Sequence, residues 1–289
     1  MAYRTTNVDP PRFEKSQVKI YLYLIPVAIL MGLPLIFIFN QAFKPLNELF
    51  AFPPAFFVKQ PTTEHFSNMA ASTMTSAIPL SRYIFNSLLA TVAVLVLTVL
   101  VSTMGGYALS KMRFKGIKVL MEINTIALMF VPIAVSIPRY LVIQFTGINN
   151  TYLAHILPLL ALPVGLFLVK QFIDQVPDAL VEAATIDGAS EWMVYRKIIL
   201  PKVRPAVMTT CILAFQQIWN NVESSNLYVD SESMKTLAFY MNTLASNTNN
   251  EAGQGVAAAA ALVMLIPNLL LFILMQKNVM STMAQSGIK

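Results

Sequence analysis

The chain has 289 residues, of which 56% are apolar and only 12% charged, and its mean hydropathy is +0.62. A water-soluble domain carries about twice that charged fraction, so lipid must be the solvent for much of this chain. The net charge of +6 lies in short basic clusters between apolar runs, which suits membrane orientation rather than nucleic acid, and the lone Cys211 excludes a disulfide framework.

The polar N-terminal tail, residues 1–19, leads into an apolar run without a small-residue cleavage site, so the first run is expected to stay as an anchor. A spanning helix needs about 20 apolar residues. Six segments meet or approach that length: 20–43, 83–109, 119–138 (which includes Glu122), 152–172, 205–222 and 253–276. Within hydrocarbon every amide must bond internally, so these runs are predicted to be helices. The chain is therefore expected to be an all-α membrane protein with six transmembrane helices in one domain, residues 20–289.

Orientation follows from the basic residues. With the N-terminus in the cytoplasm, only Lys44, Lys59, Arg82, Arg139 and Lys235 of the 20 lysines and arginines fall outside. That bias predicts both termini inside. The outside segments are then 44–82, a polar loop with Pro53, Pro54 and Pro61, the short 139–151, and 223–252, rich in Ser and Asn and suited to a flexible binding loop.

Between the fourth and fifth spans, residues 171–205 interrupt the apolar pattern. Pro177 and Asp178 suit the first turn of a helix. Leu180, Ala183, Ala184 and Asp187 fall on one face at helical spacing, and Gly188 suits a left-handed stop. Ser190 can cap a second helix with Glu191 in its first turn and Arg196 and Lys197 towards its end, and Pro201 is expected to break it. The prediction is a helix–turn–helix elbow projecting from the membrane.

Glu182-Ala183-Ala184, then Gly188, then Ile198-Ile199-Leu200-Pro201 resembles in full the signature of ABC importer permeases. Ile186-Asp187-Gly188-Ala189-Ser190, Asn86-Ser87-Leu88, the stretch 107–114, Trp219-Asn220 and the C-terminal Ser286-Gly287-Ile288-Lys289 resemble the carbohydrate branch of that family. The resemblance covers roughly residues 80–289. It implies that the elbow is a coupling helix docked on a separate ATP-hydrolysing subunit through Glu182, Ala183, Ala184, Asp187, Gly188, Ile198, Leu200 and Pro201. It also implies a second permease subunit in a heterodimer, two ATP-binding subunits, an extracellular solute-binding protein, and a sugar or oligosaccharide as cargo, in a bacterial or archaeal cytoplasmic membrane. After Trp219-Asn220 the chain departs from the branch: Asn221-Val222-Glu223-Ser224-Ser225-Asn226 is more polar, which suits a larger or more polar saccharide.

No Gly-Lys pair occurs, which excludes a Walker phosphate loop. The chain is thus expected to bind no cofactor, with ATP and magnesium used by the partner, and to be no enzyme. Gln216, Gln217, Trp219, Asn220 and Asn221 in the fifth span are candidates to line a sugar path, the alternative being bonds between helices. Glu122 is expected to pair with Lys118 at the interface, and His155 to pack without metal. An ion-coupled secondary transporter would offer only Glu122 as its intramembrane acid. An intramembrane enzyme would need paired acids, metal ligands or a Ser-His pair within the membrane, and none is expected here. Within importers, a permease for a peptide or polyamine is the runner-up.

Overall fold

The computed structural model describes residues 17–53, 55–74, 78–246 and 251–286, and among them every regular element is helical. The N-terminal tail and the last three residues lie outside this set. Helix α1 (Gln17–Phe43) is followed by the short α2 (Leu46–Leu49), by α3 (Glu64–Met74) and by the long α4 (Leu80–Lys111). Helices α1 and α4, together with Gly253–Gln276 of the final helix, are long and apolar enough to cross a membrane unaided.

The other three apolar segments are bent pairs. Helix α5 (Ile117–Met129) turns by 111° into the segment that holds α6 (Ser136–Thr146). Within the expected span 119–138 the chain does more than kink at Pro132: the helix ends at Met129, because Pro132 cannot continue the amide ladder and starts a new 3-10 turn. Helix α7 (Leu153–Leu160) bends by 45° into α8 (Pro163–Asp174), again at a proline. Helix α9 (Asp178–Ile186) is the first arm of the elbow. Its second arm is α10 (Glu191–Val194), a π turn over Tyr195–Ile199, and α11 (Leu200–Lys202).

Pro201 does not break that arm, contrary to expectation. The arm runs unbroken over Glu191–Lys202 and turns by 80° only at Val203, into α12 (Arg204–Trp219) and α13 (Glu223–Leu227). Pro201 has no amide to offer, and the turn before it is wound looser, with the Leu200 amide reaching back five residues to the Tyr195 carbonyl. Helices α14 (Leu237–Ser246) and α15 (Glu251–Ser286) complete the chain. Residues 223–246 are thus folded and pinned to the bundle rather than forming one flexible loop.

Helix α4 lies at the centre, against α7, α8, α12 and α14. Gly106 lets it meet α8 backbone to backbone: a Cβ there would stand 3.1 Å from Val169 and 3.3 Å from the Lys170 nitrogen. At Gly165 a Cβ would lie 2.8 Å from the Thr210 methyl, so α8 and α12 approach as closely. Small residues supply such contacts in membrane bundles, where lipid gives no hydrophobic drive for helices to associate. Polar side chains enter this core by bonding their own helix, as Thr103 does to the Val99 carbonyl at 2.6 Å and Thr210 to that of Ala206 at 2.9 Å.

Candidate functional site

The elbow is built by local rules. In α9 the last carbonyls are closed by a double bond pattern: the Gly188 amide donates to Thr185 at 3.0 Å, and the Ala189 amide to Ala184 at 2.9 Å. That closure needs a left-handed residue, and Gly188 has φ +81. A Cβ on Gly188 would touch nothing within 4 Å, so its glycine is a matter of backbone conformation rather than space. Two residues on, Ser190 Oγ accepts the Met193 amide at 3.3 Å and starts the second arm.

Val181, Ala184, Ala189 and Ile198 pack on a core of Tyr107, Val169, Ile173, Val194, Tyr195 and Ile199. The inward face is therefore offset from the 180/183/184/187 face read from spacing. Glu182, Ala183, Asp187 and Gly188 are exposed, as is Pro201, while Leu200 is half-buried. Ile186 is 86% exposed at the tip, with Leu180, Trp192 and Met193 also uncovered. Large apolar side chains thus stand exposed together on the elbow, a grouping that a soluble surface seldom carries. Ile186 entered the sequence reading only as part of the family-like stretch and Trp192 not at all, although their apolar character beside the Gly188 turn was the available signal.

Two sets of contacts root the elbow in α4. Lys111 Nζ lies 2.5 Å from Asp178 Oδ1 and 2.6 Å from the Val176 carbonyl, and Ser110 Oγ lies 2.5 Å from Asp174 Oδ1. The Lys111 hydrogen bond and charge hold the exposed Asp178 carboxyl below its ordinary value. The second arm is met by Tyr107, which donates to Glu191 Oε2 at 2.5 Å, and by Thr103, bonded to Tyr195 Oη at 2.7 Å. A cavity of about 240 Å³ lies beside these contacts, walled by Met104, Ala108, Met112 and Trp192.

The fifth-span candidates divide. Gln216, Gln217 and Asn220 are exposed on one side of α12. Trp219 is buried, stacked on Phe215 at 5.6 Å, and its indole donates to the Met264 carbonyl at 3.2 Å. Asn221 is a local cap, its Oδ1 accepting the Ser224 amide at 2.9 Å. The structure brings in two amides that the sequence reading missed. Asn268 of α15 donates to Asn220 Oδ1 at 3.3 Å and leaves its own Oδ1 buried without a partner, and Asn242 of α14 joins Asn220 and Met241 around a cavity of about 210 Å³.

Glu122 is exposed on α5 and, among the described residues, takes part in none of the ion pairs, so the expected pair with Lys118 does not form. A Ser-His pair, unseen in the sequence, does form: His155 Nδ1 is 2.7 Å from Ser224 Oγ, and His155 Nε2 is 3.1 Å from the Met234 carbonyl. A carbonyl can only accept, so Nε2 carries the proton and Nδ1 accepts from serine. Both side chains are buried. The pair fastens α7 to the 223–236 segment and offers no opening to a substrate.

At the end of the bundle opposite the elbow, Asn86 Nδ2 donates to the carbonyls of Ser233 (2.9 Å) and Lys235 (2.8 Å), and Ser87 Oγ accepts the Leu237 amide at 2.7 Å. Arg82 adds bonds to the Ser233 carbonyl and to Tyr152. The 223–236 segment is thereby held on the first turns of α4.

Comparison with known proteins agrees with this architecture. The chain is 29% identical over 272 residues to the probable ABC transporter permease protein YurM of Bacillus subtilis, covering 93% of this chain and 86% of that one. It is 30% identical over 204 residues to the arabinooligosaccharides transport system permease protein AraQ of Halalkalibacterium halodurans, covering 71% and 72%. The diacetylchitobiose uptake system permease protein DasC of Streptomyces coelicolor is 27% identical over 267 residues, covering 91% and 94%. Its fold is that of a chain in the crystal structure of a bacterial ABC transporter involved in the import of the acidic polysaccharide alginate, with TM-score 0.77, 20% identity, and coverage of 93% and 99%. Residues 102–279 match the family described as binding-protein-dependent transport system inner membrane component, and the chain belongs to that family.

Proposed function

We propose that this chain is one membrane half of an ATP-driven importer of saccharides, whose energy enters through the elbow at 177–203. The observation that carries this reading is the elbow itself: a rigidly capped projection with Ile186 uncovered at its tip and Glu182, Ala183 and Asp187 around it. The elbow is a docking part, and the ATP and magnesium belong to the partner it docks on. Two ATP-binding subunits, a second permease and an extracellular binding protein complete the assembly, as the family's description as a binding-protein-dependent system suggests. Both termini and the elbow lie in the cytoplasm, in keeping with the placement of the basic residues.

The cargo follows from α12. Gln216, Gln217 and Asn220, with Asn242 and Asn268 near them, offer carboxamides that both donate and accept without charge. Such groups match the hydroxyls of a sugar, and relatives named for arabinooligosaccharides and diacetylchitobiose support the same class. Trp219, packed inward, and Asn221, engaged in capping Ser224, support the path rather than line it.

The test is to purify the assembled transporter in mild detergent with Glu182→Lys or Gly188→Val in this chain. The ATPase subunit is expected to be lost or uncoupled, with membrane insertion unchanged. Full coupled uptake by both variants defeats the reading.

A further inference from the structure

Three features of α4 belong together. First, it is the only one of the three long spans without a proline: α1 holds Pro26 and Pro34, α15 holds Pro267, and the remaining spans are broken pairs. Sharp bends in helices arise at prolines, small-residue pairs and inserted turns; the glycine pair of α4, Gly105-Gly106, is packed against Leu166, Val169 and Lys170 of α8, and this 32-residue helix, about 48 Å long at 1.5 Å per residue, runs unbroken across the bundle.

Second, its elbow end is joined to the second arm by two rungs in register. Thr103 pairs with Tyr195 and Tyr107 with Glu191, so residues one turn apart on α4 meet residues one turn apart on the arm, in reverse order. The Tyr107 and Tyr195 rings lie 5.7 Å apart between the rungs, and Gly106 clamps the same turn against α8. Third, its far end grips the 233–237 stretch: Asn86 donates to the Ser233 and Lys235 carbonyls and Ser87 accepts the Leu237 amide, while Asn86 Oδ1 also accepts from the Tyr152 hydroxyl. Side chains that grip backbone fix position whatever the loop's own side chains are doing.

We propose that α4 is a strut that carries elbow displacement to the 223–236 segment on the opposite side of the membrane, with Thr103, Tyr107, Asn86 and Ser87 as its positioning residues. The proposal rests on the reading that the elbow docks on an ATPase. An elbow tilted by its partner pulls α4 through both rungs. The helix transmits the shift because it runs unbroken and its glycine pair is packed against α8, and the segment at the far end moves with it. On the same reading a binding protein docks on this outer side, and the strut run in reverse lets the docked, loaded protein signal to the ATPase.

The test uses the complete transporter in lipid nanodiscs, with its ATPase, second permease and binding protein. Tyr107→Phe and Thr103→Val keep side-chain shape and remove only the hydroxyls of the two rungs; Ser87→Ala releases the far end. The expected result is normal recovery of the ATPase subunit, unchanged thermal midpoint and unchanged basal ATP turnover. Stimulation of turnover by the loaded binding protein falls about tenfold, the scale of losing one hydrogen bond to a charged group. Combining Tyr107→Phe with Ser87→Ala is expected to cost little more than either alone, since one broken link already parts the strut. Full stimulation in the Tyr107→Phe, Thr103→Val double variant overturns the proposal, and so does strict additivity between the two ends. A Glu182→Lys control separates the two readings: if it still recruits and couples the ATPase, the docking reading fails. If it loses the ATPase while the rung variants remain fully stimulated, the strut fails alone.

Discussion

The elbow and the polar side of α12 carry equally suggestive residues, yet they behave differently in the folded chain. On the elbow, Glu182, Ala183, Asp187 and Gly188 stand uncovered, because each backbone end is satisfied within a few residues by Gly188 and Ser190. On α12, five candidates in six positions split by helical phase: Gln216, Gln217 and Asn220 look outward, while Trp219 and Asn221 serve the interior. A projection capped by its own sequence leaves its candidate residues uncovered, whereas a span buried among others sorts its candidates only once the neighbours are known.

The largest effect that would test this contrast lies at the elbow tip. Ile186→Glu places a charge where an apolar side chain is 86% exposed in the isolated chain. Burying an isoleucine gives about 1.5–3 kcal/mol, so loss of that contact plus a desolvated carboxylate is expected to weaken ATPase association by more than about tenfold. Pull-down of the ATPase subunit measures it, and undiminished recovery would remove Ile186 from the interface. Next comes Gly188→Val, which meets no steric neighbour but must adopt φ +81. Left-handed backbone costs an L residue about 1–2 kcal/mol, so coupled uptake is expected to fall several-fold, with Gly188→Asn retaining more than valine because asparagine tolerates that conformation. Equal activity of the two variants would mean that the turn's handedness is unimportant.

The α12 side predicts a split rather than a loss. Asn220→Leu is expected to raise the apparent KM for the sugar by severalfold, for about 1 kcal/mol of hydrogen bonding, with little change in thermal midpoint. Trp219→Leu is expected to do the reverse, lowering the midpoint by loss of the Phe215 stack and the bond to Met264 while leaving KM alone. If Trp219→Leu moves KM and Asn220→Leu does not, the inward and outward assignments are exchanged.

Hydropathy located the three helices long enough to span and pointed to the regions of the three bent pairs, because lipid leaves few ways to satisfy a backbone. It did not show how sharply they bend: Pro132 reads as a kink in sequence, and only packing decides that the chain turns by 111° there. The elbow was legible down to its glycine and its cap. The π turn before Pro201 was not, since a looser winding is a response to a missing amide rather than a residue preference. Contacts between distant positions were invisible: His155 and Ser224 are 69 residues apart, and Asn86 reaches carbonyls 147 and 149 residues away. Asn86-Ser87 stood out as part of a family pattern, and the grip on the 223–236 segment now gives that pair a physical reason.

The smallest expected effect concerns the root of the elbow. Lys111 is nearly covered while its partner Asp178 is largely exposed, so the pair is an anchor for the lysine more than a source of stability. The Asp178 carboxyl is held below its ordinary value, chiefly by the Lys111 hydrogen bond and charge. A carboxyl lowered by folding contributes above its ordinary value and loses that contribution as pH falls through the lower, folded value. Asp178→Asn should therefore reduce the thermal midpoint slightly at neutral pH and not at all once both values have been passed. Differential scanning of the wild-type and variant chains between pH 7 and pH 3 reads the convergence. Lys111 also donates to the Val176 carbonyl, which does not titrate, so the elbow stays attached in both. If the two midpoints instead diverge as the pH falls, the carboxylate is not what holds the first arm to α4, and the carbonyl contact alone roots it.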